Sequence, residues 1–510
     1  MATRKCALSL ALWIAALAVA AAESHSVDVA GTWPVATPEE VGVDSSALVE
    51  MIEFAREQKT PVHSVQLVRH GRLVLDAYFH PYNDRIRHDV ASVTKSITST
   101  LIGLAIAKGH VRDVNQPILS FFPGRDVTFA AQKSKLTLEH LLTMQSGFDC
   151  GVEMNNPRIN VDTRLDEMRR SANWIQYALD MPIAVEPGTR FRYCNANCHL
   201  LSAIITRATG TNALGFARRE WFEPLGIRDV AWPADPHGNN YGWGDLQIHP
   251  RDMAKLGQLF LQRGRWGERQ VIPERWIETA TRPHVEQTGG NDQYGYLWWI
   301  PGPQYPGVFE AIGRGGQRIT VWPAKKLVLV YTGGGFNPDD LTKFILKSLK
   351  SDNPLPANPE MAARLRDRLD AARQPHAPQS LPKLPEIAVR VSSKTYAFSA
   401  NSLDLGELVL RFDKSAEAKV RFKRLGQELR CPIGLDGVER FSTDTLVELP
   451  FACKGQWLST DTFLLELDRV AGVSCYRFRL TFGKGGKTLS VALNERTGLN
   501  EETFTGKATE

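Results

Sequence analysis

The sequence predicts an α+β protein with two folded units. The first is an antiparallel sheet flanked by helices with a helical subdomain, and the second is a C-terminal antiparallel β domain. Three observations carry that expectation. Strand-like segments at 64–79 and 317–331 bracket a helix- and loop-rich stretch over 110–300. Prolines gather between 351 and 385. Beyond them, apolar and polar residues alternate with a period of two, as in strands that bury one face.

The first unit opens with a β-hairpin. Ser64 to Arg69 and Arg72 to Phe79 are rich in β-branched and apolar residues, with His70-Gly71 as the tight turn. A helix follows from about Ser92 to Ala107, with Val93, Ile97, Leu101 and Leu104 at helical spacing and Lys108-Gly109 to close it. Strands return at Gln317 to Trp322 and Leu327 to Tyr331, across the turn Pro323-Ala324-Lys325-Lys326. Asp339 and Asp340 then open an amphipathic helix that runs to Lys350. A sheet built from both ends of this region, with the helical part beside it, places a cleft where the two meet.

From 351 to 385 the prolines surround one short charged helix near Met361 to Gln374, which reads as an interdomain linker. After it, Tyr476, Phe478, Leu480 and Phe482 interleave with Arg477, Arg479 and Thr481. Glu407 to Phe412, Lys419 to Lys423, Thr462 to Leu467 and Thr488 to Leu493 are further strand candidates, which together suggest a β-sandwich or small barrel. The expected division is a signal peptide at 1–22, a first domain at 23–350, a linker at 351–385 and a C-terminal domain at 386–510.

The signal peptide rests on Arg4 and Lys5, the apolar run from Ala7 to Val19, and small residues up to Ala22. It implies export to the periplasm or beyond, with no transmembrane segment in the mature chain. Cleavage there removes two cations and takes the net charge from +5 to +3, close to neutral for a protein of this size. That balance argues against nucleic acid as a partner. Six cysteines survive cleavage, and an oxidising compartment permits disulfides. Spacing alone does not fix connectivity; Cys150 with Cys194 and Cys431 with Cys453 are the preferred pairs. No zinc-type spacing is present, and neither metal nor cofactor is expected.

The chemistry centres on Ser92-Val93-Thr94-Lys95 at a helix start. A spacing of three places hydroxyl and amine on one helical face, and an amine of lowered pKa can take the serine proton. The backbone N–H at the helix start can stabilise an oxyanion. Two further elements point the same way. Tyr193-Cys194-Asn195 precedes an apolar helix and can present a phenol for proton relay. Arg314-Gly315-Gly316-Gln317 opens a strand, where small residues let a substrate approach and strand N–H groups complete an oxyanion hole.

Together these three motifs resemble the serine β-lactamase and penicillin-binding-protein superfamily, near its class C β-lactamases, esterases and 6-aminohexanoate-oligomer hydrolases. Ser92-Val93-Thr94-Lys95 matches the first motif and Tyr193-Cys194-Asn195 the second, while Arg314-Gly315-Gly316 stands where relatives carry Lys-Thr-Gly, His-x-Gly or Trp-Gly-Gly. Leu138 to Gly147 and Tyr294 to Trp299 are also similar, so the likeness spans roughly 35–350. The resemblance implies a β-lactamase/transpeptidase-like fold and an acyl-enzyme on Ser92 with Lys95 and Tyr193 as acid and base. It further implies oxyanion donors at Ser92 and Gln317, and Asn195 orienting substrate or Lys95. The expected partner is a small-molecule or peptide-like substrate with an ester or amide bond. Alternatives are a D,D-peptidase or β-lactamase at the cell wall and a non-catalytic penicillin-binding-like protein. Arg314 departs from the family pattern; it suits a substrate carboxylate gripped bidentately or a local carboxylate partner. Trp298 and Trp299 suit an acyl pocket or the core, and His140 reads as structural. Gly485-Gly486-Lys487-Thr488 is rejected as a phosphate loop for want of its first glycine.

Overall fold

The computed structural model describes residues 33–150, 163–286, 292–413, 415–442 and 450–509. The segment 1–22, expected to be a signal peptide, lies outside the described residues. Among the described residues the first sheet has eight strands, all antiparallel to their neighbours. Its principal strands run in the spatial order Arg72–Tyr78, Val62–Arg69, Leu327–Gly333, Gln317–Trp322, Phe309–Gly313. Chain segments far apart in sequence thus pair in the middle of the sheet, as the two-ended layout requires.

The central strand Leu327–Gly333 is buried along its whole length. Val328 and Val330 enter the core shared with the helical part, whereas Leu327, Leu329 and Tyr331 enter a second core on the opposite face. Burial on both sides explains why this segment is continuously apolar rather than alternating. On the first side, the helix Pro250–Leu261 packs so closely that a Cβ on Gly257 would lie 2.5 Å from Val328 Cγ1. Helices Ser45–Glu57 and Asp339–Ser348 cover the other face.

The segment expected to be a linker is more firmly attached than its prolines suggest. Its helix, Pro359–Ala372, buries Leu365 and Ala372 in the second core, and Glu53 accepts from Arg364 and Arg368 at 2.9 and 2.7 Å. The helix therefore belongs to the packing of the first unit. An apolar stripe on a charged helix carries that information only once its docking surface is known.

Among the described residues, ten strands between Thr395 and Ala508 form the second sheet. Its first strand, Thr395–Phe398, pairs with its last, Glu501–Ala508, and Gln427–Gly434 pairs with Phe451–Trp457, so the sheet closes into a barrel. Between sandwich and barrel, the barrel is the outcome. Inward residues such as Leu465, Phe478, Leu480 and Val491 fill it, and outward neighbours such as Glu466, Arg477, Arg479 and Ser490 are polar. Disulfides join Cys150 to Cys194 and Cys431 to Cys453, while Cys198 and Cys475 are buried thiols.

Candidate active site

The helix Val93–Ala107 begins immediately after Ser92, which occupies the N-cap position. One turn on, Lys95 is enclosed, with 1% of its surface exposed. Its Nζ lies 2.8 Å from Ser92 Oγ and donates to the Trp243 carbonyl at 2.7 Å. The Tyr193 ring stands over the same amine, its centroid 4.8 Å away. Ser92 and Tyr193 are half-buried, less enclosed than the amine between them.

Each group is held by identifiable contacts. Ala91 adopts a left-handed conformation (φ +46), uncommon for a residue with a side chain, and Asp89 Oδ1 accepts its N–H at 2.8 Å. Ser96 and Thr98 fasten the same helix to the carbonyls of Leu297 (2.6 Å) and Gly242 (2.9 Å). Tyr193 lies directly before Cys194, whose disulfide with Cys150 spans 44 residues. Trp299 stacks on the Tyr193 ring at 6.1 Å. Replacing Cys150 and Cys194 together by alanine is expected to cost about 2–5 kcal/mol of stability and to slow turnover through Tyr193; thermal unfolding and ester hydrolysis measure the two effects.

The carbonyl of Trp243 was not singled out by sequence reasoning, and no side-chain pattern reveals a backbone acceptor. The loop carrying it is tightly clamped. Ser202 Oγ donates to Asn240 O at 2.7 Å, and Asp235 accepts from the Asn239 side chain at 3.0 Å and from His199 at 3.1 Å. Burial and hydrogen bonding act in opposite directions on that last pair. Burial holds the His199 imidazole below its ordinary range despite Asp235, while hydrogen bonds from His199 and Asn239 outweigh burial and hold Asp235 down at about 2.

The third motif forms the turn between Phe309–Gly313 and Gln317–Trp322. It adjoins Ser92, because a Cβ on Gly313 would lie 2.5 Å from Val90 O and 3.2 Å from Ala91 Cβ. Two expectations here are corrected. Arg314 does not hold its guanidinium out for a substrate carboxylate; it donates to Ser474 Oγ at 3.1 Å, to Glu495 at 3.4 Å and to Thr497 Oγ1. The approach that Gly315 and Gly316 permit is that of protein groups: a Cβ on Gly315 would meet Val473 at 2.3 Å, and one on Gly316 the Phe336 ring at 2.6 Å. Both glycines also have positive φ, +82 and +97. The side chain of Gln317 is buried, donating to Gly333 O at 2.5 Å and accepting from Gly333 N at 3.1 Å, so only its backbone is left for oxyanion contact.

Asn195 starts the helix Asn195–Thr209 and is half-buried. Trp298 packs in the core against Phe260 and Phe309, and the Thr137 N–H donates to the His140 ring at a helix start. A cavity of about 480 Å³ lies beside the turn, lined by Gly313 to Arg318, by Phe336 and Asn337, and by Arg496 and Thr497 of the barrel. Among the described residues no group of three or more His, Cys, Asp or Glu side chains is arranged to hold a metal ion.

A serine hydroxyl at a helix start, 2.8 Å from a buried amine over which a phenol ring stands, is a nucleophile beside a candidate base, and the family model named Beta-lactamase matches residues 47–349. The chain belongs to the beta-lactamase family. Its relatives in that family include the 6-aminohexanoate-dimer hydrolase of Paenarthrobacter ureafaciens, 24% identical over 60% of this chain and 81% of that protein. The Beta-lactamase of Escherichia coli (strain K12) is 23% identical over 52% of this chain and 68% of that one. Among solved structures, EstCE1, a hydrolase with promiscuous acyltransferase activity, shares the fold with a TM-score of 0.50 at 14% identity, covering 60% of this chain and 99% of its own. The beta-lactamase family to which the chain belongs is one of serine hydrolases.

Proposed function

We propose that this protein is an exported serine hydrolase that cleaves an ester, amide or peptide-like bond through an acyl-enzyme on Ser92. The observation that carries the reading is the 2.8 Å approach of Lys95 Nζ to Ser92 Oγ, with the amine enclosed between Trp243 O and the Tyr193 ring. The Lys95 amine keeps its donor bond to Trp243 O while it faces the hydroxyl. Ser92 Oγ attacks the carbonyl carbon as its proton passes to Lys95, and the backbone N–H groups of Ser92 and Gln317 receive the oxyanion. The Tyr193 phenol and Lys95 return the proton to the departing alcohol or amine. Water then attacks the acyl-enzyme by the same route in reverse. Asn195 orients the substrate or Lys95.

The cavity of about 480 Å³ is lined by the third-motif turn and the barrel and by none of Ser92, Lys95 or Tyr193, so the reading rests on the Ser92–Lys95 geometry and not on that cavity. The 6-aminohexanoate-dimer hydrolase among the relatives supports a short amide or ester as substrate. Export rests on the charged and apolar pattern of residues 1–22.

A fluorophosphonate probe and a fluorescent penicillin, applied to wild type and Ser92→Ala, test the reading. The fluorophosphonate is expected to label wild type alone, and the penicillin weakly or not at all. Strong, slowly reversed penicillin labelling at Ser92 would move the assignment to a cell-wall D,D-peptidase or β-lactamase. Absence of labelling together with no turnover of p-nitrophenyl esters would leave a non-catalytic binder.

A further inference from the structure

The barrel touches both walls of the site. On the Ser92 side, the Asp89 N–H donates to the Ala471 carbonyl, in the barrel turn that follows Thr462–Arg469, at 2.8 Å. The same residue holds Ala91 through its carboxyl. A single residue therefore links the barrel to the left-handed backbone position directly before Ser92. An L-residue stays in that region only where its surroundings enforce it. On the opposite wall, Val473 fills the notch over Gly315, while Ser474, Glu495 and Thr497 hold Arg314. Arg496 donates to Gly334 O at 3.3 Å, and the Gly335 N–H donates to Gly315 O at 2.9 Å, so the barrel also steadies the loop behind the turn. Tyr82 of the first unit packs with Ala452 and Val470 of the barrel and seals this contact.

We infer that the barrel is a positioning element of the active site, and that Asp89 is the positioning residue through which its docking fixes Ser92 against Lys95. The inference deepens the acyl-enzyme reading and rests on it.

The groups facing Asp89 come from every neighbouring element. Asp245 belongs to the loop after Trp243, Arg314 to the turn, and Arg469 to the barrel. Behind it, His88 Nδ1 lies 2.7 Å from Asp89 O, which can only accept, so Nδ1 carries the proton. In the neutral ring, His88 Nε2 then accepts from His63 Nδ1 at 2.7 Å. Burial holds both rings below their usual range, His88 at about 4, so the pair stays neutral near pH 7.

Burial and the Asp245 carboxylate push the Asp89 carboxyl up to about 7, against the pull of the Ala91 N–H, Arg469 and Arg314. The ionised form grips the Ala91 N–H more strongly, so turnover rises with pH through that region. The stability that the protonated carboxyl contributes runs the other way. It is fully present below the unfolded pKa and is lost as pH rises through about 7.

Asp89→Asn keeps the shape and removes the charge. At pH 8 it is expected to lower kcat by about 10- to 100-fold with KM changed by less than about twofold. The rising limb near pH 7 should disappear, and the Tm at pH 8 should equal or exceed that of wild type. A residue with only a structural role would instead lower the Tm and leave kcat and the pH profile alone, which would overturn the proposal. Val473→Asp undocks the barrel from its own side; it is expected to lower kcat similarly and to speed hydrogen exchange in the peptide spanning residues 89–95. Unchanged exchange there would equally sink the idea. The exchange arm needs no activity, so it decides the positioning claim even if wild type fails to label at Ser92, a result that would count against the acyl-enzyme reading instead.

Discussion

Replacing Lys95 by alanine is expected to reduce kcat/KM for an activated ester by about a thousand-fold or more, within the range that a general base supplies. The amine is enclosed, with its bonds directed to one hydroxyl and one carbonyl. Its loss deprives Ser92 of a proton acceptor and leaves the Trp243 carbonyl unpaired. Lys95→Arg separates base from charge, because a guanidinium keeps the cation and does not give up its proton near neutral pH. Both variants are expected to lose fluorophosphonate labelling and hydrolysis to the same degree. If Lys95→Arg retained activity within about tenfold of wild type, positive charge rather than proton transfer would be its contribution.

The second large effect is expected at Gly242. A Cβ there would lie 1.9 Å from the Cys198 carbonyl oxygen and 3.0 Å from Ser202 Cβ, on the helix that follows Tyr193. These are mostly backbone neighbours that cannot turn aside, so in Gly242→Ala the loop has to lift from the helix and carry the Trp243 carbonyl away from Lys95. Such overpacking costs about 1–3 kcal/mol, and displacing the contact to Lys95 should lower kcat by about 100-fold. Thermal unfolding and steady-state kinetics read the two parts separately. Thr98→Val removes the 2.9 Å bond to Gly242 O and should act in the same direction more mildly. A Gly242→Ala enzyme with lowered Tm and intact kcat would show that the loop serves packing alone.

What the sequence disclosed and what it withheld follow from range. Ser92 and Lys95 are one helical turn apart, so the helix itself dictates their meeting. The hairpin at 62–78 and the strand Gln317–Trp322 announce themselves through local composition. Tyr193 gained its assignment from resemblance, since nothing local says which helix it will face. Which of its two readings Arg314 would follow was not legible, because the glutamate that engages it lies 181 residues further along, in another folded unit. Trp243 contributes a carbonyl that any residue would carry. Asp89 escaped notice because its significance comes from Ala471. In the barrel, strand Gln427–Gly434 contains Pro432 and places Glu428 and Arg430 outward, while Glu501–Ala508 buries little beyond Phe504 and Gly506. The proline hid the first and weak alternation the second; closure of the barrel makes them strands.

The docked helix at 359–372 has a consequence for how the two units stay together. Its end is anchored where the His80 N–H donates to Ala372 O at 2.9 Å, and the barrel takes hold of the chain again where the Gln379 N–H donates to Asp436 O at 2.8 Å. Only residues 373–378 lie between, a tether whose seven residue steps reach at most about 25 Å when fully extended. So short a leash gives the barrel an effective concentration at its partner surface of about millimolar or higher. Association is then independent of dilution, and contacts too weak to unite separate chains suffice to keep Ala471 seated on Asp89.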